Sequence, residues 1–145
     1  MISEPFTKER PARQCQPVPA LLVVDDTPSI RELLIHTLRS LVPYEVIAVT
    51  DAPAALAVLS ARPVPLLITD YHLSDMRGDA LAAAVKSASP ATKVMMITAD
   101  VELDAEAGWA DVDQCLITPF PMRGFLHIPP KRCISEIRRL LLLAR

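Results

Sequence analysis

Leu21-Leu22-Val23-Val24-Asp25-Asp26 is the stretch that decides the fold. Four aliphatic residues in an unbroken run, closed by two acids, read as a short strand buried on both faces, the pattern of a parallel sheet. Leu66-Leu67-Ile68-Thr69-Asp70 repeats that pattern and again ends in an acid. Between the two, Pro28 suits the first turn of a helix, and Ile30, Leu33, Leu34, Thr37, Leu38 and Leu41 recur at helical spacing until Pro43. Residues 45–49 read as a second strand rich in β-branched side chains. Asp51 is placed to cap a helix carrying Ala55, Leu56, Val58 and Leu59, which stops before Pro63. Beyond Asp70, a loop containing Gly78 leads to a helix over Leu81, Ala84 and Val85. Then follow a strand at 93–98, a short helix at 103–109, a strand at 114–118 and a last helix from about 131 to 144. Strands alternating with helices in this way predict an α/β domain: a doubly wound, five-stranded parallel sheet with helices on both faces. Residues 1–19, broken by Pro5, Pro11, Pro17 and Pro19, read as a flexible tail, and 20–145 as one domain.

Composition narrows the function classes. A chain of 145 residues is long enough for one self-sufficient core. Its net charge of −2 gives no reason to expect nucleic acid or a membrane surface as partner. Hydrophobic residues make up 51% of the chain but no run reaches the ~20 needed to span a bilayer. The first residues carry Glu4, Lys8, Glu9, Arg10 and Arg13 and do not read as a secretory signal. Cys15, Cys115 and Cys133 are odd in number, far apart and without metal-ligand spacing, which favours reduced thiols in a cytoplasmic protein.

In open parallel sheets the working residues gather beyond the C-terminal strand ends. Here those ends are Asp25-Asp26, Asp70, Thr98 and Thr118-Pro119. If the first, third and fourth strands are neighbours, three carboxylates and a hydroxyl converge on one rim. Such carboxylates repel one another unless a cation sits among them, and hard oxygen donors in a partly open site favour Mg²⁺. A carboxylate beside that metal can attack phosphorus and form an aspartyl phosphate, with the Thr98 hydroxyl able to bond a phosphoryl oxygen. The plainer alternative is that the three acids merely cap strand ends.

The ordered set of Asp25-Asp26, Asp70 after Leu-Leu-Ile-Thr, Thr98-Ala99 after Met-Met-Ile, and Pro119-Phe120 resembles the receiver domain of bacterial two-component response regulators. The resemblance covers roughly residues 20–145 and implies the flavodoxin-like receiver topology. It implies that Asp70 is the phosphoacceptor, loaded from a phosphohistidine on a sensor histidine kinase or histidine phosphotransfer protein. It assigns Mg²⁺ to Asp25, Asp26, Asp70 and the backbone carbonyl of His72, and makes Thr98 the switch hydroxyl. His72 and Asp100 fall where the family tunes the lifetime of the phosphoryl group. The loop Leu73-Ser74-Asp75-Met76-Arg77-Gly78 resembles the family's turn, with Ser74 where Pro is usual.

Three features depart from the family pattern. Thr118 replaces a Lys that contacts the phosphoryl group, and Cys115 replaces the switch aromatic. Both weaken the expected coupling between phosphorylation and output; Thr118 reads equally as a phosphoryl contact or as a plain replacement. The third is an apolar, proline-bounded insertion at about 121–130. With the leucine-rich last helix it is expected to enlarge an interaction surface, the one a homodimer through the last strand, insertion and final helix would use. His36 and His127 read as surface or packing residues, Cys115 as a small buried hydrophobe, Trp109 as packing at a helix end, and Lys131, Arg132, Arg138 and Arg139 as a solvated face. With no output segment after the last helix, the chain reads as a stand-alone regulator or a receiver cut from a larger protein. Two other functions compete: a receiver-like binding module insensitive to phosphorylation, and an aspartyl-phosphate phosphatase. The phosphatase reading is disfavoured because His72 stands where such enzymes place a second Asp.

Overall fold

The structure is a computed structural model, and it describes residues 19–98, 109–117 and 131–143. Five strands, β1 (Ala20–Val24), β2 (Glu45–Val49), β3 (Leu66–Thr69), β4 (Lys93–Thr98) and β5 (Gln114–Ile117), alternate with helices α1 (Pro28–Leu41), α2 (Ala52–Ala61) and α3 (Gly78–Ala88) before α4 (Lys131–Leu143) closes the chain. All strand pairs are parallel and the order across the sheet is β2-β1-β3-β4-β5. Residues 103–108 of the helix expected at 103–109 lie outside the described residues. Trp109, at its expected end, is not helical and precedes a turn into β5.

The continuous apolar runs are buried on both faces, as their lack of alternation requires. Leu21 and Val23 face one core with Leu34 and Leu38 of α1 and Ile137, Leu140 and Leu141 of α4. Leu22 and Val24 face the opposite core with Ala52 and Ala55 of α2 and Leu81, Ala82 and Val85 of α3. Leu21, Leu22, Leu66 and Leu67 have no exposed surface, so each contributes about 1.5–3 kcal/mol through burial. Leu142 is 65% exposed on α4, consistent with more leucine than one buried stripe uses. A single exposed leucine is not a patch, and the insertion at 121–130 lies outside the described residues.

Helix boundaries follow local chemistry. Pro28 occupies the first turn of α1, and the helix stops at Val42, ahead of Pro43. Asp51 caps α2 through its side chain, which accepts from the Ala54 amide at 2.9 Å. Asp75, in the loop after β3, accepts from the Ala52 amide at 3.1 Å. Asp51→Ala should lower stability by about 1 kcal/mol, seen as a drop in Tm of about 2–4 °C. An unchanged melting curve would mean that Asp75 alone secures this terminus.

Candidate functional site

The sheet order places the reversal of winding between β1 and β3, and the crevice above that point is where open α/β sheets bind ligands. Register decides which residues meet there. Val24 pairs with Thr69, so the residues that follow, Asp25 and Asp70, leave the sheet side by side at its C-terminal rim. Thr69 pairs in turn with Met96, so Thr98 projects past the same rim from β4. Its hydroxyl, on a residue only 2% exposed, hydrogen-bonds the Asp70 side chain.

Asp25 is 3% exposed, and its carboxylate accepts from the Thr27 amide at 2.8 Å. Burial pushes this carboxyl up to about 6; repulsion from Asp70 and Asp26 adds to the rise, while the Thr27 amide and the Arg31 guanidinium oppose it. Burial likewise pushes the Asp70 carboxyl above its ordinary value. Opposing it are hydrogen bonds from the His72 amide, the Thr98 hydroxyl and the Tyr71 amide, and the charge of His72. Asp26 is half-buried and His72 is exposed, two residues beyond Asp70. Thr118 and Asp100 lie outside the described residues. Ile117, the residue before Thr118, pairs with Thr98. Cys115 is buried on β5 opposite Met96, and burial pushes its thiol up, as suits a small packing residue rather than a reactive thiolate.

Among the described residues no group of three or more His, Cys, Asp or Glu side chains is arranged to hold a metal by itself. The donor set nevertheless fits a hard divalent ion that keeps much of its water, because such an ion needs only one or two carboxylates and shares the rest with water and phosphate. The strained charge on Asp25, in the field of two other carboxylates, is what a cation there would relieve.

Two contributors were missing from the sequence reading. Arg31 donates from Nη1 to the Asp25 carbonyl at 3.0 Å. A basic residue in the first turn of a helix opposes the helix dipole, and that mismatch was the available signal. Gly78, expected in the loop, instead opens α3. Its amide donates to the Tyr71 carbonyl at 2.7 Å, and a Cβ built there would collide with the Asp70 carbonyl oxygen and stand 3.0 Å from Tyr71 Cα. The end of β3 and the start of α3 approach too closely for any side chain at that point.

A parallel sheet of this order, with paired acids at the β1/β3 crevice and a hydroxyl at the end of β4, defines the receiver class of signalling domains. Residues 21–127 match the response regulator receiver domain family, and the chain belongs to it. It is 30% identical over 119 residues to the response regulator protein FleR of Pseudomonas aeruginosa, covering 81% of this chain but only 25% of FleR. To the chemotaxis protein CheY of the same organism it is 30% identical over 104 residues, covering 69% of this chain and 84% of CheY. The fold also matches the response regulator TrrA of Thermotoga maritima, solved in complex with Mg²⁺-BeF, with a TM-score of 0.69 and 22% identity over 84% of this chain and 98% of that one. The chain thus spans about a quarter of one curated relative and most of another. Membership makes it a regulatory domain consistent with two-component signalling, and no helix among the described residues is long and apolar enough to cross a membrane.

Proposed function

We propose that the chain is the phosphoacceptor of a two-component phosphorelay. It takes a phosphoryl group from a phosphohistidine on a sensor histidine kinase or histidine phosphotransfer protein and signals through protein contacts in the cytoplasm. The observation that carries this reading is the shared rim, where Asp70 bonds Thr98 and its charge adds to the rise that burial imposes on the Asp25 carboxyl. An Asp70 carboxylate oxygen attacks phosphorus. The bond from phosphorus to the imidazole nitrogen breaks, its electron pair stays on that nitrogen, and Asp70 becomes an acyl phosphate. Asp25, Asp26, Asp70 and the His72 carbonyl would hold Mg²⁺, which supplies charge neutralisation for the phosphoryl oxygens. The complex of TrrA with Mg²⁺-BeF supports the same cofactor here. Thr98 moves its hydroxyl from the Asp70 carboxylate to a phosphoryl oxygen once the group arrives. Beyond catalysing its own phosphorylation and dephosphorylation the domain is not an enzyme, and it acts on neither nucleic acid nor membrane. The domain proper runs from 20 to 145 behind a tail at 1–19, and self-association would use β5, the 121–130 insertion and α4.

Incubation with acetyl phosphate and Mg²⁺ tests the reading by intact mass. The wild type should gain one phosphoryl group, while Asp70→Asn and a chelated sample should gain none. A folded wild type that stays unlabelled would sink it and favour a binding module that ignores phosphorylation, the reading to which Thr118 and Cys115 point.

A further inference from the structure

Beside the two main cores lies a third apolar cluster of Tyr71, Met96 and Cys115, with Trp109 and Val112 packed against it. It joins the residue immediately after Asp70 to the segment that enters β5. We propose that the Tyr71–Trp109 ring pair relays the chemical state of Asp70 to the start of β5, a positioning role that rests on the phosphoacceptor reading above.

Three observations converge on this pair. The amide of His72, the residue after Tyr71, donates to the Asp70 carboxylate at 3.4 Å, so the backbone that carries the ring lies between the reacting group and one of its donors. The ring itself, only 8% exposed, is held on several sides. Trp109 lies 5.6 Å from it between centroids with the planes at 54°, His72 meets it edge-on at 4.7 Å, and the Arg77 guanidinium stands 5.7 Å from its centroid. Finally, the buried Trp109 indole N–H has no acceptor among the described residues. A buried donor without a partner is costly, so a small movement of Trp109 that reaches an acceptor is favoured rather than resisted.

The output end is tied to the sheet. The Trp109 carbonyl accepts from the Val112 amide at 3.2 Å, and the next amide, of Asp113, donates to Val94 of β4 at 2.9 Å. The Asp113 carboxylate accepts from the Val94 amide and from Lys86 Nζ, both at 2.8 Å. The turn that begins at Trp109 thus meets β4 at Asp113, the residue before β5, and that is where the relay would act. Cys115 brings only a small thiol to this cluster, so the aromatic contact is made by Trp109 instead. When an Asp70 oxygen bonds to phosphorus it becomes a poorer acceptor, and the His72 amide turns toward the new oxygens. The Tyr71 ring then shifts against Trp109.

Trp109 is the chain's one tryptophan, so its emission reports on the relay directly. The full chain is titrated with Mg²⁺ and then with beryllium fluoride, with acetyl phosphate labelling followed by intact mass in parallel. The expected result is a change in Trp109 emission on adding beryllium fluoride in the presence of Mg²⁺, retained in Tyr71→Phe and lost in Tyr71→Leu although Asp70 is still labelled. Labelling of the wild type without any change in emission overturns the relay while leaving the phosphoacceptor reading intact. A wild-type response in Tyr71→Leu overturns it as well. Absence of both labelling and response removes the phosphoacceptor reading and the relay together. The wild-type arm decides even if Tyr71→Leu does not fold.

Discussion

At pH 7 and without divalent metal, Asp25→Asn is expected to melt at a higher temperature than the wild-type chain. The folded protein holds the Asp25 proton up to about pH 6, against an ordinary value of 3.8. A carboxyl with a raised folded-state pKa contributes its full stability below the unfolded value and loses it as pH rises through the folded one. Two pKa units correspond to about 3 kcal/mol, lost between roughly pH 4 and pH 6. Asn cannot titrate, and its side-chain oxygen can keep the bond from the Thr27 amide. The difference between wild-type and variant stability should therefore grow across that interval and stay level above it. Taking the difference cancels the opposite trend from Asp113 and Glu45, whose carboxyls are held below their ordinary values. Mg²⁺ should stabilise the wild type by mass action and leave the variant almost unmoved. Thermal unfolding from pH 4 to 8, with chelator and with Mg²⁺, checks both halves. A variant no more stable than wild type at pH 7 in chelator would show that Asp25 carries no strained charge.

Gly78→Ala is expected to lower stability by about 2 kcal/mol and Tm by about 5 °C. Forcing a methyl group against the Asp70 carbonyl is overpacking worth about 3 kcal/mol, and the better helix propensity of Ala returns at most about 1 kcal/mol. The functional loss should be larger than the thermal one suggests. The obstruction is main chain rather than the flexible end of a side chain, and the main chain concerned carries Asp70, the proposed phosphoacceptor. Relief requires the end of β3 or α3 to move, and movement of β3 shifts Asp70 relative to Thr98 and Asp25. Slower labelling of Asp70 in a variant that is still folded at the assay temperature is the outcome to measure. Labelling at the wild-type rate would mean that α3 alone yields.

The contrast between these two positions shows what could be read before the fold was known. Asp25 was legible because it ends an apolar run, and the run implied a strand buried on both faces with its end at a rim. Asp70 and Thr98 were legible for the same reason. Their convergence needed only the strand order, which puts β1, β3 and β4 side by side. Gly78 was visible as a glycine but not as a contact, because its constraint comes from the approach of α3 to the end of β3. Arg31 acts through the Asp25 carbonyl, a partner that no periodicity reveals. The pairing of Tyr71 with Trp109 was hidden more deeply. Trp109 looked like helix-end packing, and only the placement of β5 beside β4 brings the turn before it over the residue next to Asp70.

The two carboxylates at the start of α2 bear on how the rim treats anions. Asp51 takes the Ala54 amide, Asp75 takes the Ala52 amide, the Asp51 carbonyl takes the Ala55 amide, and Pro53 has no N–H to offer. The positive pole of that helix is already neutralised by the protein's own side chains. A helix start at a strand-end crevice is ordinarily a ready cradle for phosphate or sulfate. Here that cradle is closed, and the neighbouring carboxylates repel an oxyanion that arrives without a counter-charge. Free phosphate is therefore expected to find no cradle at the start of α2.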